Sequence, residues 1–509
     1  MVSKRGSDFL VTERVVLSID QGTTGTTVLV VDGGGTVLSR GYAPVTQHYP
    51  QPGWVEHDPR ELWQTVLDAS AQALALLPGA RPAALGITNQ RETTIVWDRR
   101  SGEPLAPAIV WQCRRTAARC DALRAAGLTE SCARRTGLVL DAYFSATKVE
   151  WLLQHLPGLR QRAADGEALF GTVDSWLLWH LTGGAVHATD ITNASRTLLL
   201  DVESGTWSPE MLELFGVPEA MLPRVVPSSG MVGETVATGA IPGGVPIAGV
   251  AGDQQAALFG QACYAPGEAK TTYGTGCFLL LNAGERRPHS RHQLLSTIAW
   301  QLGPAQPLVY ALEGSVFNGG TVVQWLRDEL GLIATAAESE ALAASVPDSG
   351  GVSLVPAFTG LGAPYWDGEA RGAILGLTRG TTRAHLVRAG LEGIAHQVAD
   401  VVAAMEADAG TSLRQMNVDG GAAANDFLMQ FQADLLGRPV VRPANLETTA
   451  FGAAYLAGLA TGVWPGPQAL QSTRRVERRF EPAMTESTRA RLRAGWRAAV
   501  ERVRSTTTP

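Results

Sequence analysis

The stretch VVLSIDQGTTGTTVLVVDGGG, residues 15–35, decides how the rest of the chain is read. Val15 to Ile19 is β-branched and weakly alternating, which predicts a strand, and Asp20 closes it. Gln21 to Gly25 predicts a turn, and Thr26 to Val31 a second strand. Asp32, Gly33 and Gly34 predict another turn before a third strand from Thr36 to Ser39. The product is a tight hairpin with Asp20, Thr23 and Thr24 at its tip. Gly22 lets backbone N–H groups approach a ligand closely, and such groups can cradle phosphate. An ordinary surface hairpin has the same pattern, so the stretch gains meaning only from its surroundings.

A chain of 509 residues is too long for one ordinary core, and two domains of roughly 250 residues are expected. Hydrophobic residues are 45% and charged residues 18%, which excludes wholesale disorder. A net charge of −6 gives no electrostatic case for nucleic acid as a partner. Lysine occurs only at 4, 148 and 270, so the positive charges are mostly arginine. Cys113, Cys120, Cys132, Cys263 and Cys277 show no CxxC spacing, which argues against both a disulfide framework and a zinc cluster. A cytoplasmic setting is expected. MVSKRGSDF has no apolar run, so no signal peptide is visible, and the patch near Ala69–Leu77 is too short to span a membrane.

Asp58 and Pro59 predict the start of a helix whose face carries Trp63, Val66, Leu67 and Leu74. Ala83–Thr88 and Thr94–Trp97 predict strands flanking NQRE, residues 89–92. Lys148–His155 and Trp176–Leu181 predict helices. Pro223 to Gly249 is rich in Pro and Gly and reads as linker-like. AGDQQAALFG, residues 251–260, then opens a helix, with a domain boundary near 258–263. AKTTYGTGCFLLLN, residues 269–282, repeats the opening strand–turn–strand without its acid. A third glycine cluster, VDGGAAANDF at 418–427, lies between a short strand and a helix. The pattern predicts a duplicated α/β core with a ligand cleft between its halves. Thr485–Val503, with Leu492, Trp496, Val500 and Val503 at helical spacing, predicts a packed surface helix. No GxxxxGK[ST] occurs, and no GxGxxG follows the first strand.

Ten blocks in order carry a resemblance. They are DQGTT (20–24), GWVEHDP (53–59), GITNQRETTIVW (86–97), AIVWQCRRTA (108–117), FGTVDSWLLW (170–179), TNASRT (192–197), AGDQQAALFGQ (251–261), TYGTGCF (272–278), PAFTGLGAPYWD (356–367) and DGGAAAN (419–425). From about 15 to 500 the chain resembles the glycerol kinase family, carbohydrate kinases with the actin- and hexokinase-type ATPase fold. The resemblance implies two α/β, ribonuclease H-like domains with an interdomain cleft. It divides the chain into an extension (1–14), an N-terminal kinase domain with most glycerol-binding residues (15–260) and a C-terminal domain with most nucleotide-binding residues and a terminal helix (261–509). It implies ATP-dependent phosphorylation of glycerol to sn-glycerol 3-phosphate, with Mg2+. Kinases for other small polyols or sugars, or a nucleotide-binding sensor with weak turnover, are the alternatives.

The resemblance also implies site residues. Arg91 and Glu92 would hold two hydroxyls of glycerol, with Tyr143, Asp253 and Gln254 completing the polar contacts. Trp111 and Phe278 would form apolar walls. Asp253 would be the general base, and Asp20 would hold magnesium through its water shell. Thr23, Thr24 and Thr275 would bind phosphates. Gly421 and Asn425 would approach the adenosine, with Gly320 and Gln324 near the nucleotide. The chemistry is independently sensible, since phosphoryl transfer needs positioning and charge neutralisation more than covalent catalysis. Asp174 and Asp190 are read as structural. Outside any family context, Asp253 is equally a helix N-cap and the aromatics are core residues.

Three departures stand out. Thr27 replaces the Arg that ends the family's opening loop, and it cannot supply the same charge or reach. Ala142 stands where Pro is usual before Tyr143. Asp426 stands where a second Asn is common. Residues 233–246 contain no Lys or Arg and residues 226–240 no His, so control by a sugar bisphosphate or by phosphotransfer is not expected. A homodimer or homotetramer is implied, without choice between them.

Overall fold

Val16–Gln21 (β1), Gly25–Val31 (β2) and Val37–Pro44 (β3) form an antiparallel meander at one side of a six-stranded sheet. These and all following coordinates come from a computed structural model that describes residues 14–505. Ala84–Asn89 (β4) lies parallel to β1, and Ser229–Glu234 (β5) and Pro246–Gly252 (β6) complete the order β5-β6-β4-β1-β2-β3. The expected hairpin is present: Asp20 pairs with Thr27, and the Gly22 amide closes the tip on the Gly25 carbonyl at 2.9 Å. The third strand is longer than the sequence suggests. It begins at Val37 and continues through the Gly41 and Tyr42 positions to Pro44.

The second sheet has seven strands. Glu268–Tyr273 (β7), Cys277–Gly284 (β8), Leu295–Trp300 (β9), Val309–Val316 (β10), Gln415–Asp419 (β11), Val440–Pro443 (β12) and Val476–Phe480 (β13) run in the order β9-β10-β8-β7-β11-β12-β13. Apart from the added edge strand β9, this is the first sheet again. β7 pairs antiparallel with β8 and parallel with β11, as β1 does with β2 and β4. β12 then stands for β6, β13 for β5 and β10 for β3. The duplication expected from the glycine echoes is therefore a repeat of topology.

Pro59–Ala75 (α1) starts as expected, with the Asp58 carboxylate accepting from the Arg60 amide at 2.9 Å. Its buried stripe is Leu62, Thr65, Val66, Ala69 and Ala73, so Trp63 and Leu74 flank the stripe instead of leading it. This helix covers the face of the first sheet lined by Leu17, Ile19, Val28 and Val30. The opposite face, with Val16, Leu29 and Val31, packs on Asp253–Gly260 (α2) and on the alanine-rich Thr448–Ala460 helix, named α5 after Gly320–Asp328 (α3) and Arg383–Ala409 (α4). Strands covered on both faces read as continuous apolar runs. Leu280 and Ala311 of the second sheet join the same cluster from the other side, so α2 and α5 lie between the two sheets. The outer face of the second sheet, with Leu279, Leu281 and Leu312, is covered by α4.

The α2–α5 crossing is close because it is built on glycine. A Cβ at Gly452 would fall on the Ala256 carbonyl, and one at Gly260 on the Thr448 carbonyl. The Pro/Gly-rich region 223–249 is not a linker. It contains β5 and begins β6, and Gly249 is required there because a Cβ would strike the backbone of Ala457 in α5. Residues between β4 and β5 form a helical lobe around Phe144, Leu152 and Phe170, which includes the helices Ser145–His155 and Val173–Leu181. The C-terminal helix, Glu486–Glu501, buries Trp496, Ala499 and Val500. The proposed extension lies outside the described residues except for Arg14. Among the described residues no helix is long and apolar enough to cross a membrane.

Candidate active site

β1, β4 and β6 are parallel neighbours and end together: Gln21 pairs with Asn89, and Asn89 with Gly252. Residues that follow the carboxyl ends of parallel strands converge on one crevice. Asp20, Arg91 and Asp253 are delivered there by this register. The second sheet contributes a face. Lys270 pairs with Leu280 and Leu280 with Glu313, so by the period-two rule Lys270, Phe278 and Glu313 point the same way.

Arg91 is the centre of the resulting network and is 2% exposed. Its Nη1 and Nη2 donate to Glu313 Oε2 and Oε1 at 2.5 and 2.9 Å, a bidentate pair between the two halves of the chain. Nη2 also donates to the Tyr143 hydroxyl at 3.2 Å and Nη1 to Gln255 Oε1 at 3.2 Å. Nε lies 3.2 Å from Asp253 Oδ1 and 3.5 Å from Glu92 Oε1. Arg196, wholly buried, donates to Glu92 Oε1 at 2.8 Å and Glu313 Oε1 at 3.0 Å. Burial would push the Glu313 carboxyl up, but Arg196 and Arg91 together hold it down at about 2.

Gly252 is part of this arrangement, since a Cβ there would sit 2.7 Å from Arg91 Cγ. It is also the N-cap of α2, so Asp253 is the first helical residue and not the cap. Asp253 is 30% exposed, and Oδ1 takes both the Arg91 contact and the Gln254 amide at 2.7 Å. Its carboxyl is shifted upward by burial, with Arg91 opposing and Glu92 reinforcing. Gln254 Oε1 accepts from the Lys270 ammonium, which also donates to Thr272 Oγ1 at 2.9 Å. Asp20 is pushed up to about 8 by burial and by the carboxylates of Asp253 and Glu447. Among the described residues no side chain forms an ion pair with it.

The aromatic wall is built as a chain of contacts. Trp111 Nε1 donates to Thr23 Oγ1 at 3.0 Å, fixing the wall to the hairpin tip, and the Trp111 ring meets Tyr143 edge-on at 5.5 Å. Phe278 is half-buried on β8. Thr24 and Thr275 are exposed at the two equivalent turns. The Thr275 carbonyl accepts from the Gly319 amide at 2.9 Å and the Gly274 carbonyl from Gly320 at 2.8 Å, which seats α3 on the second turn. Gln324 is exposed on α3, and the Cβ direction of Gly421 meets open space. Asn425 caps the Asp426–Leu436 helix through the Leu428 amide at 2.9 Å and donates to Ser339 Oγ at 3.1 Å. Asp426 is turned away, toward Arg442 and Arg478. Asp174 and Asp190 are buried and hydrogen-bonded to Thr172, Thr189, Thr192 and Ser228, as structural acids are.

Sequence reasoning missed Glu313, Arg196, Gln255 and Lys270. Arg196 lies inside the quoted TNASRT block, which was the available signal. Glu313 carries none in its local sequence.

The family model described as the FGGY family of carbohydrate kinases, N-terminal domain, matches residues 15–260, and the corresponding C-terminal domain matches 269–461. The chain is 60% identical to a glycerol kinase of Aromatoleum aromaticum, over 96% of this chain and 98% of that one. It is 56% identical to a glycerol kinase of Carboxydothermus hydrogenoformans, over 97% and 99%. The crystal structure of Plasmodium falciparum glycerol kinase with ADP superposes with a TM-score of 0.94 at 36% identity, covering 97% of this chain and 99% of that one. The fold, the paired sheets and the sequence thus agree over nearly the whole length, and the chain belongs to the FGGY family of carbohydrate kinases.

Proposed function

We propose that this protein transfers the γ-phosphoryl group of ATP to a terminal hydroxyl of glycerol, giving sn-glycerol 3-phosphate. The observation that carries the reading is the state of Asp253. Both of its contacts fall on Oδ1, leaving Oδ2 without a partner among the described residues, and the side chain is open to the cleft. Glu92 and Glu313, by contrast, are closed off by arginines. A carboxylate held by one oxygen, with an upward-shifted pKa, suits a general base for the attacking hydroxyl. Arg91 orients that base, and the Tyr143 hydroxyl and Gln254 amide offer further polar contacts to a short triol. Trp111 and Phe278 would exclude water from its C–H faces. Relatives at 54–60% identity bearing the name glycerol kinase support the choice of acceptor.

A carboxylate pushed up to about 8 by burial and by its acidic neighbours, with no cationic side chain paired to it among the described residues, fits a place for a divalent ion. Asp20 would hold magnesium through its water shell, a mode that suits a hard ion reluctant to shed water. When bound, the ion neutralises phosphate charge. Thr23, Thr24 and Thr275 would meet the phosphates at the two turns, with Gly320, Gln324, Gly421 and Asn425 toward the nucleoside. We place the division between the two kinase domains at 260/261, and assign the enzyme to the cytoplasm as a homodimer or homotetramer without phosphotransfer control.

The test is ATP-coupled phosphorylation of glycerol, erythritol, xylulose, gluconate and dihydroxyacetone. Glycerol should give the highest kcat/KM. Preference for xylulose or gluconate overturns the acceptor assignment, and no turnover with any of the five points to a nucleotide sensor.

A further inference from the structure

The chain spends almost all of its positive charge on arginine and keeps lysine at 4, 148 and 270. Lys4 lies outside the described residues. The other two are fully buried and adjoin the candidate site. Where a sequence so strongly favours arginine, a buried lysine marks a place where a planar fork does not serve.

Lys148 lies in the first turn of the helix Ser145–His155. Its ammonium donates to the carbonyl oxygens of Tyr143 at 2.5 Å, Phe144 at 3.2 Å and Glu92 at 3.4 Å. Three carbonyls converging on one point match the three donors of an ammonium. Among the described residues no carboxylate pairs with it. The location is unfavourable twice over: a cation near a helix N-terminus opposes the helix dipole, and burial holds this one down at about 8. A hydrophobic side chain would fill the space at lower cost. The ammonium instead joins two segments that are otherwise far apart in sequence. One carries Arg91 and Glu92, the other Tyr143, and the Tyr143 hydroxyl meets Arg91 at their far ends. Ser145 Oγ adds a parallel tie to the Glu92 carbonyl at 3.1 Å.

We propose that Lys148 is a positioning residue for acceptor binding, its ammonium clamping the Arg91–Glu92 segment to the Tyr143 segment so that both present their side chains to one small polyol. The proposal rests on the acceptor site assigned above. It does not place Lys148 in contact with substrate.

The test compares Lys148→Met, which keeps the stem and removes the ammonium, with Lys148→Arg, which keeps charge and changes shape. Steady-state kinetics are run with glycerol and ATP varied separately, beside the unmodified enzyme. A clamp that acts only on the acceptor pocket should raise glycerol KM by roughly tenfold or more in both variants, with ATP KM within about twofold and kcat within about threefold. Lys148→Arg keeps the comparison open where Lys148→Met fails to fold. Glycerol KM within about twofold of the unmodified enzyme in a folded variant overturns the proposal, as does a rise in ATP KM of equal size, which signals general disruption. An unmodified enzyme inactive on glycerol removes the acceptor assignment and this proposal with it. An active enzyme with unresponsive variants removes this proposal alone.

Discussion

Replacing Glu313 by Gln tests the charge network more severely than any change at the reacting groups. Glu313 is wholly buried and is bonded to two arginines that are themselves buried. The substitution keeps size and one acceptor oxygen but removes the charge, leaving Arg91 and Arg196 with Glu92 and the partly exposed Asp253 as their remaining acids. Two routes give the magnitude. Removing one partner of a buried ion pair costs about 3–5 kcal/mol, because the other is left uncompensated. The displacement of the Glu313 carboxyl from 4.5 to about 2 corresponds to roughly 3 kcal/mol by linkage. The two agree, and Glu313→Gln should lose about 3 kcal/mol near neutral pH. Because the folded-state pKa is depressed, this stabilisation is complete above 4.5 and is lost as pH falls through about 2. The gap between the two proteins should therefore be constant near neutrality and narrow in acid. Urea unfolding followed by both fluorescence and circular dichroism reports the gap and shows whether the halves still unfold together. A difference below about 1 kcal/mol at neutral pH would refute the reasoning, since it would mean that the arginines are solvated as surface charges are.

Asp253→Asn should lower kcat by at least ~10² with ATP affinity retained, and near-normal turnover would remove Asp253 from the role of base. Thr27→Arg should raise kcat for glycerol while leaving its KM nearly unchanged, because it returns a long cation to the hairpin tip opposite Asp20. Thr27 is almost fully buried, so a folded variant with unchanged or lower kcat would show that the pocket has closed around the smaller residue. Gly252→Ala should lower kcat/KM for glycerol by roughly tenfold or more through displacement of Arg91, whose Cγ would lie 2.7 Å from the new Cβ. Steady-state kinetics with unchanged kcat/KM would show that Arg91 can shift without consequence.

The parts of this molecule that announce themselves in sequence are those whose cause is local. The hairpin at Asp20, its echo at Thr275 and the start of α1 are each specified by a few neighbouring residues. The region 223–249 misled because its glycines serve distant backbone: Gly249 makes room for α5, more than 200 positions along the chain. Composition cannot separate a glycine kept for close packing from one kept for flexibility. Glu313 was illegible for the same reason, since its partners Arg91 and Arg196 are 222 and 117 residues away. Asn425 shows the converse, a residue tied by motif to a nucleotide whose amide also has a plain local duty as a helix cap.

The glycine crossing of α2 and α5 has a mechanical consequence. Gly260 closes α2 at the crossing, and Asp253 opens the same helix in the cleft. Ala256, the other part of α2 held in the crossing, is three residues from Asp253, roughly 5 Å at the helical rise. The crossing is thus a fulcrum and α2 a short, stiff lever with the Asp253 carboxylate at its tip. A rotation of about 10° at the fulcrum would carry the start of α2 by roughly 1 Å, a displacement of the size that matters to a reactive contact. The Thr448 hydroxyl, at the start of α5, is bonded to Asp419 of the second sheet at 2.5 Å, so the same fulcrum has an arm in each half. Small tilts of one half against the other would be read out directly as displacement of the Asp253 carboxylate.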